Sequence, residues 1–487
     1  MSRPTVSNLK RVKRYLIVVA IALLPIACTV GPDYKKPAVE LADAFDQSPP
    51  QEEQQPIERG ALWTAIGDQD LQTLLQRARV ENHDLEIALA RLNEVRALRG
   101  LSFYSLFPTV RSSAVADRSK PSQLDPNLSP DLAQINESYR LGFDAIWEID
   151  LFGSLRRQKE AIVRDAEAAR ARLDDVQRIV EAEVAQAYFA LRGAKAQLSI
   201  SKRNVANLNE NVKLLELALE AGRGIELDVS RQRALGLSVA ATIPGLEAEI
   251  VRHEQRLAVL TAQDVQQLRD SISDKNSLPP PVDLVVVGRP EQWIRRRPDV
   301  SAAERDLAAA TARIGVQVAE FYPKLNLTGS FGWTAATSSN LLSSSAERWQ
   351  FGPVLSWSFL DFGRVKQRVL AAEANADGAL AAFEKTILQA LEETENALAG
   401  FRAANQASAI LEQATSEAIK ALYYARLRHD SGAIDYLAVL DAERTALELQ
   451  TQATTAATNR ATALVTLYKA LAGDFVALTQ DSLAEAN

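Results

Sequence analysis

Few residues of this chain have the types and spacing that chemistry needs. The three histidines, His83, His253 and His429, stand apart from one another and from the single cysteine, Cys28. Zinc needs Cys and His ligands at short, paired spacings, and the sequence has none. Gly222-x-Gly224 falls at the end of a helix-forming stretch and reads as a turn, not as a phosphate-cradling loop. No nucleophile elbow is present. The sequence therefore predicts no catalytic residue, no metal and no cofactor. A formal charge of -7, with no basic cluster after residue 14 larger than the triplet Arg295-Arg296-Arg297, argues against nucleic acid as a partner.

Cys28 stands apart from this. Lys10, Arg11, Lys13 and Arg14 precede an apolar run from Tyr15 to Ala27, thirteen residues and too short to span a bilayer. The run ends at Ala27-Cys28 with a small residue before the cut, so residues 1–27 read as an export signal. A lone cysteine makes no disulfide within one molecule. It is either a buried, inert thiol or the acylated first residue of a mature lipoprotein, with Pro25 standing where such signals usually carry Leu. After Cys28 no apolar run reads as long enough for a transmembrane helix, so any membrane-spanning part must be β.

The elements that could position a function are set by an internal repeat. Trp147 to Asp264 lies on Trp357 to Asp474 at one constant offset of 210 residues. Trp147, Phe152 and Gly153 match Trp357, Phe362 and Gly363; Gly222 matches Gly432; Leu257 matches Leu467. Upstream the offset is 215, placing Asp84 on Asp299 and Pro108 on Pro323. The first copy therefore has the longer loop between Pro108 and Trp147.

Four segments alternate with period two: Thr109 to Asp117, Ser138 to Asp150, Lys324 to Trp333 and Trp349 to Phe359. Each is about ten residues long, the length of a tilted transmembrane strand, and three carry aromatic clusters. An ordinary soluble sheet remains the alternative for the strands alone. Two stretches, Ser154 to Ala221 and Arg364 to Ser431, lack proline and are rich in Ala, Leu, Glu, Gln and Arg. They predict helices of nearly seventy residues, each about 100 Å long at 1.5 Å per residue. The fold class is thus α+β, mainly long helices, with two copies of one unit. Its parts are a signal (1–27), an extended N-terminal segment (28–65) and a first repeat (66–265) with hairpin 108–150, long helix 153–221 and return helix 225–264. A connector (266–298) follows, then a second repeat (299–474) with hairpin 323–359, long helix 363–431 and return helix 434–474, and a tail (475–487). Arg295-Arg296-Arg297 reads as an exposed helix start, with Pro298 at the first helical position and Ser301-x-x-Glu304 as a possible capping box.

Four strands cannot close a barrel, which needs about eight, and an open sheet in lipid leaves edge groups unpaired. If the strands span a membrane, two, three or four chains must share one barrel. A spacer or adhesin lipoprotein without a pore is the rival from another class, but it has no need of amphipathic hairpins.

Three motifs carry a resemblance. They are Cys28-x-Val30-Gly31-Pro32-Asp33-Tyr34-x-x-Pro37, Trp147-Glu148-x-Asp150-Leu151-Phe152-Gly153, and Arg296-Arg297-Pro298-Asp299-x-x-x-Ala303-Glu304. With the repeat, they cover nearly the whole mature chain. The chain resembles the outer-membrane efflux channel family of TolC and OprM, in its NodT-type lipoprotein branch. That resemblance implies a homotrimer with a shared twelve-stranded barrel in the bacterial outer membrane, in contact with its lipid, and a periplasmic helical barrel. It implies a passive conduit for drugs or other toxic solutes, not an enzyme. It implies a periplasmic adaptor and an inner-membrane pump of the resistance–nodulation–division class as partners, and lipidation at Cys28. A type I protein-secretion conduit would share the fold. By the same resemblance Leu437, Asp441 and Arg444 form the periplasmic gate, with Ala438 where some relatives carry a second aspartate. Gly222, Arg223, Gly224, Gly432, Ala433, Ile434 and Asp435 would be the helix tips that meet the adaptor. Without the resemblance, Asp441 and Arg444 read as an exposed i,i+3 ion pair.

Overall fold

The computed structural model describes residues 29–38, 45, 61–122, 135–273, 275, 277–278, 283–285, 290–472 and 476–478. Cys28 and the signal segment lie outside the described residues. The chain divides into two compact units, each assembled from both repeats. The first gathers the N-terminal segment, Leu92–Ala169 and Ala302–Phe383; the second gathers Arg170–Ser301, Glu384 onward and the stretch before Leu92.

The first unit is built on a sheet. Strands β1 (Thr109–Ser119) and β2 (Asn136–Ile149) form one hairpin. A short β3 (Asp283–Val285) belongs elsewhere, and β4 (Lys324–Ala335) with β5 (Glu347–Ser356) form the second hairpin. The order is β1-β2-β4-β5, antiparallel throughout, so the two hairpins pair through β2 and β4. The register sorts side chains cleanly. Leu141, Phe143 and Trp147 lie opposite Trp333, Phe331 and Leu327 on one face, continued by Trp349 and Leu355 on β5. Arg111, Asp144, Ser330 and Gln350 lie together on the other. Trp349 is 73% exposed and Phe351 68%, so the apolar face is bare within one chain. Arginine facing mid-bilayer lipid costs about 2–4 kcal/mol, so only the aromatic face suits hydrocarbon. β1 and β5 are open edges in the single chain. β5 ends at Ser356, earlier than the alternation predicts. Trp357 instead donates its indole N–H to the Phe321 carbonyl at 3.0 Å, as its repeat counterpart Trp147 does to Leu106 at 2.9 Å.

The strand-to-helix corner explains two of the motifs. Asp150 accepts from the Arg156 backbone N–H at 3.0 Å and its guanidinium at 3.2 Å, and Phe152 stacks on Tyr322 at 4.6 Å. The Val30-to-Tyr34 motif is a strap. Val30 donates to the Phe152 carbonyl, Arg157 clasps Asp33 at 2.6 Å, and Glu304 receives Tyr34 at 3.3 Å and Lys36 at 2.7 Å. Burial, then the Glu304 carboxylate, pushes the Tyr34 hydroxyl up to about 12. Gly31, at φ +91°, lies where an added Cβ would come 2.4 Å from Gly315 Cα, so only glycine fits.

The long helices run Ser154–Glu220 and Phe362–Asp430, 67 and 69 residues. The return helix of the first repeat differs from its expected form. It is split into Glu226–Ala240 and Ile243–Leu260, because Pro244 has no N–H to give to the turn before it. Its counterpart has Thr454 there and runs unbroken from Tyr436 to Ala470. The sequence reading found no transmembrane-length apolar run after Cys28. A stretch within Glu226–Leu260 corrects this: by length and composition alone, one 18-residue window there is apolar enough, with mean hydropathy 1.4. Alanine, leucine and valine raise that average, and the break at Ala241–Thr242 interrupts the element.

The second unit holds the main core, in which Leu71, Leu74, Val184, Tyr188, Leu191, Leu257, Leu464 and Leu467 are buried together. Here too one expectation is overturned. Arg297 is not exposed: its side chain is 2% accessible, forks onto Asp299 at 2.7 Å, reaches Glu393 at 2.7 Å and donates to the Ala470 carbonyl. A buried guanidinium must be paired, and these three acceptors supply the pairing. Asn82, its repeat counterpart, caps Leu260 in the same way at 2.8 Å. The helix Pro298–Ala319 starts at Pro298. Ser301 therefore sits inside its first turn, where its N–H already bonds the Arg297 carbonyl, and no capping box forms. The connector's β3 pairs with β6 (Val476–Leu478), so the tail contributes a strand.

Candidate functional site

Each long helix ends in a glycine turn at the end opposite its strand. At the first, Arg223 N–H bonds the Ala218 carbonyl and Gly222 N–H bonds Leu219; at the second, Ala433 bonds Arg428 and Gly432 bonds His429. This is a paired 6→1 and 5→2 closure, which needs a left-handed residue, and Gly222 and Gly432 supply it at φ +70° and +73°. Nothing within 4 Å would meet a Cβ at either glycine, so it is the left-handed backbone and not lack of space that calls for glycine here. Asp435 caps the second return helix through the Ala438 N–H at 3.2 Å; Ile225, in the matching place, has no side-chain cap. His429 reaches the Ile434 carbonyl at 3.2 Å and sets its ring edge-on to Tyr436.

Beyond that cap the second return helix has two faces. Leu437, Asp441 and Arg444 recur at i, i+4 and i+7 and share one side. All three are exposed: Leu437 by 48%, and the Asp441 and Arg444 side chains by 73% and 71%. Asp441 and Arg444 pair at 3.8 Å, an exposed link worth a few tenths of a kcal/mol. Val439, Glu443 and Ala446 form the opposite side and are buried. One face is thus bound into the chain, and the face with the three expected residues is free.

Glu443 was not picked out by sequence reasoning, and it is the most connected residue of this end. It is 3% exposed. It accepts from Asn211 at 3.0 Å, Gln232 at 2.9 Å and Arg426 at 2.6 Å. Those donors sit on the first long helix, the first return helix and the second long helix, so one carboxylate ties all four helices. Gln232, fully buried, in turn accepts from the Tyr436 hydroxyl at 3.1 Å. Burial, then the Glu443 charge, pushes that hydroxyl up to about 12. The helical spacing of Val439, Glu443 and Ala446, which sets them opposite Leu437, Asp441 and Arg444, was the available signal, but partner identity was not.

Of the three histidines, His83 pairs with Glu86 at the surface, His429 serves the turn, and burial and then neighbouring Arg252 push the His253 pKa down. Among the described residues no group of His, Cys, Asp or Glu could hold a metal ion.

The model of a family described as outer membrane efflux protein matches residues 74–263 and 290–473, one block per repeat. The chain is 30% identical over 461 residues to the outer membrane protein OprJ of Pseudomonas aeruginosa, covering 93% of this chain and 94% of OprJ. It is 28% identical over 464 residues to the solvent efflux pump outer membrane protein SrpC of Pseudomonas putida, covering 92% and 95%. Among solved structures, the outer-membrane channel OprN superposes with a TM-score of 0.83 at 37% identity, covering 92% of this chain and 99% of that one.

Proposed function

The chain belongs to the outer membrane efflux protein family, and from that membership we propose how its parts work as a conduit. It is the outer-membrane channel of an efflux system, with its sheet in the bacterial outer membrane and its helices on the periplasmic side. We read it as a homotrimer closing one twelve-stranded barrel. A periplasmic adaptor sits on the turns at Gly222-Arg223-Gly224 and Gly432-Ala433-Ile434-Asp435, and a pump of the resistance–nodulation–division class drives solute through. The protein itself is a passive, non-enzymatic duct for small toxic solutes. SrpC, by its name, serves solvent efflux, which favours small solutes over secreted protein. Cys28 is the acylated N-terminus in this reading, and Cys28→Ala abolishes incorporation of labelled palmitate; undiminished label rejects the assignment.

The observation that carries the gate is the division of the second return helix into a bound face and a free one. Leu437, Asp441 and Arg444 on the free face are turned toward the axis in the closed trimer. Leu437 forms an apolar constriction, and Asp441 forms a ring of like charges held by Arg444. Reconstituted channels therefore conduct poorly at rest in planar bilayers. Leu437→Ala or Arg444→Ser raises conductance severalfold, and Asp441→Ala weakens block by multivalent cations from the periplasmic side. Parent-like currents and block in all three variants refute the gate.

A further inference from the structure

The polar face of the sheet carries a charge pattern that neither the gate nor the barrel closure uses. One row crosses all four strands: Ser113, Gly142, Gly332 and Arg348, each opposite the next. The two middle members are glycines facing each other, so the centre of the row has no side chain. Close approach enforces this. A Cβ on Gly332 would lie 2.3 Å from the Leu141 carbonyl oxygen, and one on Gly142 3.0 Å from that of Phe331. Arg348 reaches over the bare strip from β5 to β2, its guanidinium nitrogen 3.8 Å from where a Gly142 Cβ would be.

The next row on the same face, about 7 Å along the strands, holds Val115, Arg140 and Thr334. Neither row contains a carboxylate. Asp144, one row inward, stands directly opposite Arg111, and Asp117, one row outward, stands opposite Ser138. No ion pair to Arg140 or Arg348 forms among the described residues. Two guanidiniums thus share a stretch of the polar face bounded by carboxylates on both sides. Arginine is the residue suited to bidentate capture of planar or tetrahedral oxyanions. Charged side chains lining a pore set its ion preference.

We propose that Gly142, Gly332, Arg140 and Arg348 form an anion-binding band on the pore wall of the β section. It holds the carboxylate, phosphate or sulfonate group of a solute in transit. The glycines add no side chain of their own beside the guanidiniums and let Arg348 lie across β4 to β2, and the arginines supply the donors. The spacing between the rows is shorter than the Debye length of about 10 Å at 0.1 M salt. The two charges therefore act together at low ionic strength.

The test is planar-bilayer recording of full-length protein in the Leu437→Ala background and in the parent, with Arg140→Gln/Arg348→Gln and Arg140→Lys/Arg348→Lys as variants. Two quantities are read: the reversal potential in a KCl gradient, and block by a pyrene trisulfonate added from the sheet side. The double Gln variant lowers the chloride-to-potassium permeability ratio on the order of threefold and weakens dye block on the order of tenfold. The Lys pair keeps the permeability ratio while binding dye more weakly than Arg, because it lacks the planar fork. Equal block and equal reversal potential in the parent and the Gln variant overturn the band while leaving the channel intact. Absence of conductance in every form would instead strike at the channel reading.

Discussion

Leu437, Asp441 and Arg444 are exposed because Glu443, on the opposite side of their helix, is buried. In a helix the two sets point apart, so whatever fixes the buried face also fixes where the free face looks. The Glu443 carboxylate is buried and accepts from three helices. Glu443→Ala leaves the fully buried Gln232 amide and the Asn211 amide without their acceptor and Arg426 without its counter-charge. Orphaned buried donors cost about 1–3 kcal/mol. The loss is expected to be on the order of 3 kcal/mol, read as a lower thermal midpoint. If Leu437, Asp441 and Arg444 gate the channel as proposed, the same variant raises resting conductance, since their face is no longer held in one rotation. Restoration by the charge swap Glu443→Arg with Arg426→Glu separates this link from mere packing. Wild-type stability and conductance in Glu443→Ala would remove Glu443 from the account. Local rules made part of this region legible. Gly222 and Gly432 end helices for reasons contained in a few neighbouring residues, and the repeat places them in register. Glu443 was illegible because its three donors lie far along the chain in both directions.

At the scale of elements, composition predicted the long helices well, because an unbroken run without proline leaves little else for the chain to do. The split in the first return helix turned on one residue, Pro244. Which sides of the helices meet was less visible. The first long helix meets the second return helix through polar pairs, Gln186 with Thr466, Gln197 with Thr451, Asn204 with Gln450 and Asn211 with Glu443. Gly193 lies among them where an added Cβ would come 2.2 Å from the Thr458 hydroxyl. It reads in sequence as an interruption, yet the helix passes through it and uses its bareness for close approach. Arg297 is the clearest failure of local reasoning, since an arginine triplet suggests solvent. Its acceptors come from Asp299 nearby and from Glu393 and Ala470 far away. For Asp299, burial alone would raise the carboxyl pKa, but hydrogen bonds and charge from Arg297 outweigh it and hold it below its usual 3.8. A depressed carboxylate contributes stability that is present above the unfolded value and lost as pH falls through the folded one. Acid unfolding below about pH 4 should therefore include a component from this pair. In Asp299→Asn the stability difference from the parent narrows as pH drops through that range. A difference that stays constant from pH 7 to pH 2 would contradict the linkage.

At the scale of the whole molecule, the sheet is incomplete by construction. Its four strands present an aromatic face, a polar face and two edges, β1 and β5, which pair with no further strand among the described residues. In water those edges could be solvated, but in hydrocarbon each unpaired group costs several kcal/mol, so edge must meet edge. The edge of one copy is β1 and the other is β5, which makes a heterologous contact that closes into a ring when the rotation suits. Two copies would give about the smallest barrel known to close, filled by its own side chains, and leave no room for solute; three give twelve strands and four give sixteen. The arginines and carboxylates of the polar face need water, which excludes a filled eight-stranded interior. Three copies are the smallest number that both closes the edges and keeps a wet lumen. Protein extracted in mild detergent should accordingly have a protein mass about three times that of one chain, by light scattering corrected for bound detergent. The assembly should dissociate when Pro residues replace Trp349 and Phe351 on β5, whose N–H groups, like the position of Pro353, point away from β4 to the open edge, since Pro cannot donate to a ladder. A mass of one or two chains for protein that still conducts would overturn the shared barrel. A mass of four chains would keep edge closure but reject the threefold gate, because Asp441 and Leu437 would then surround a wider axis than their side chains can close.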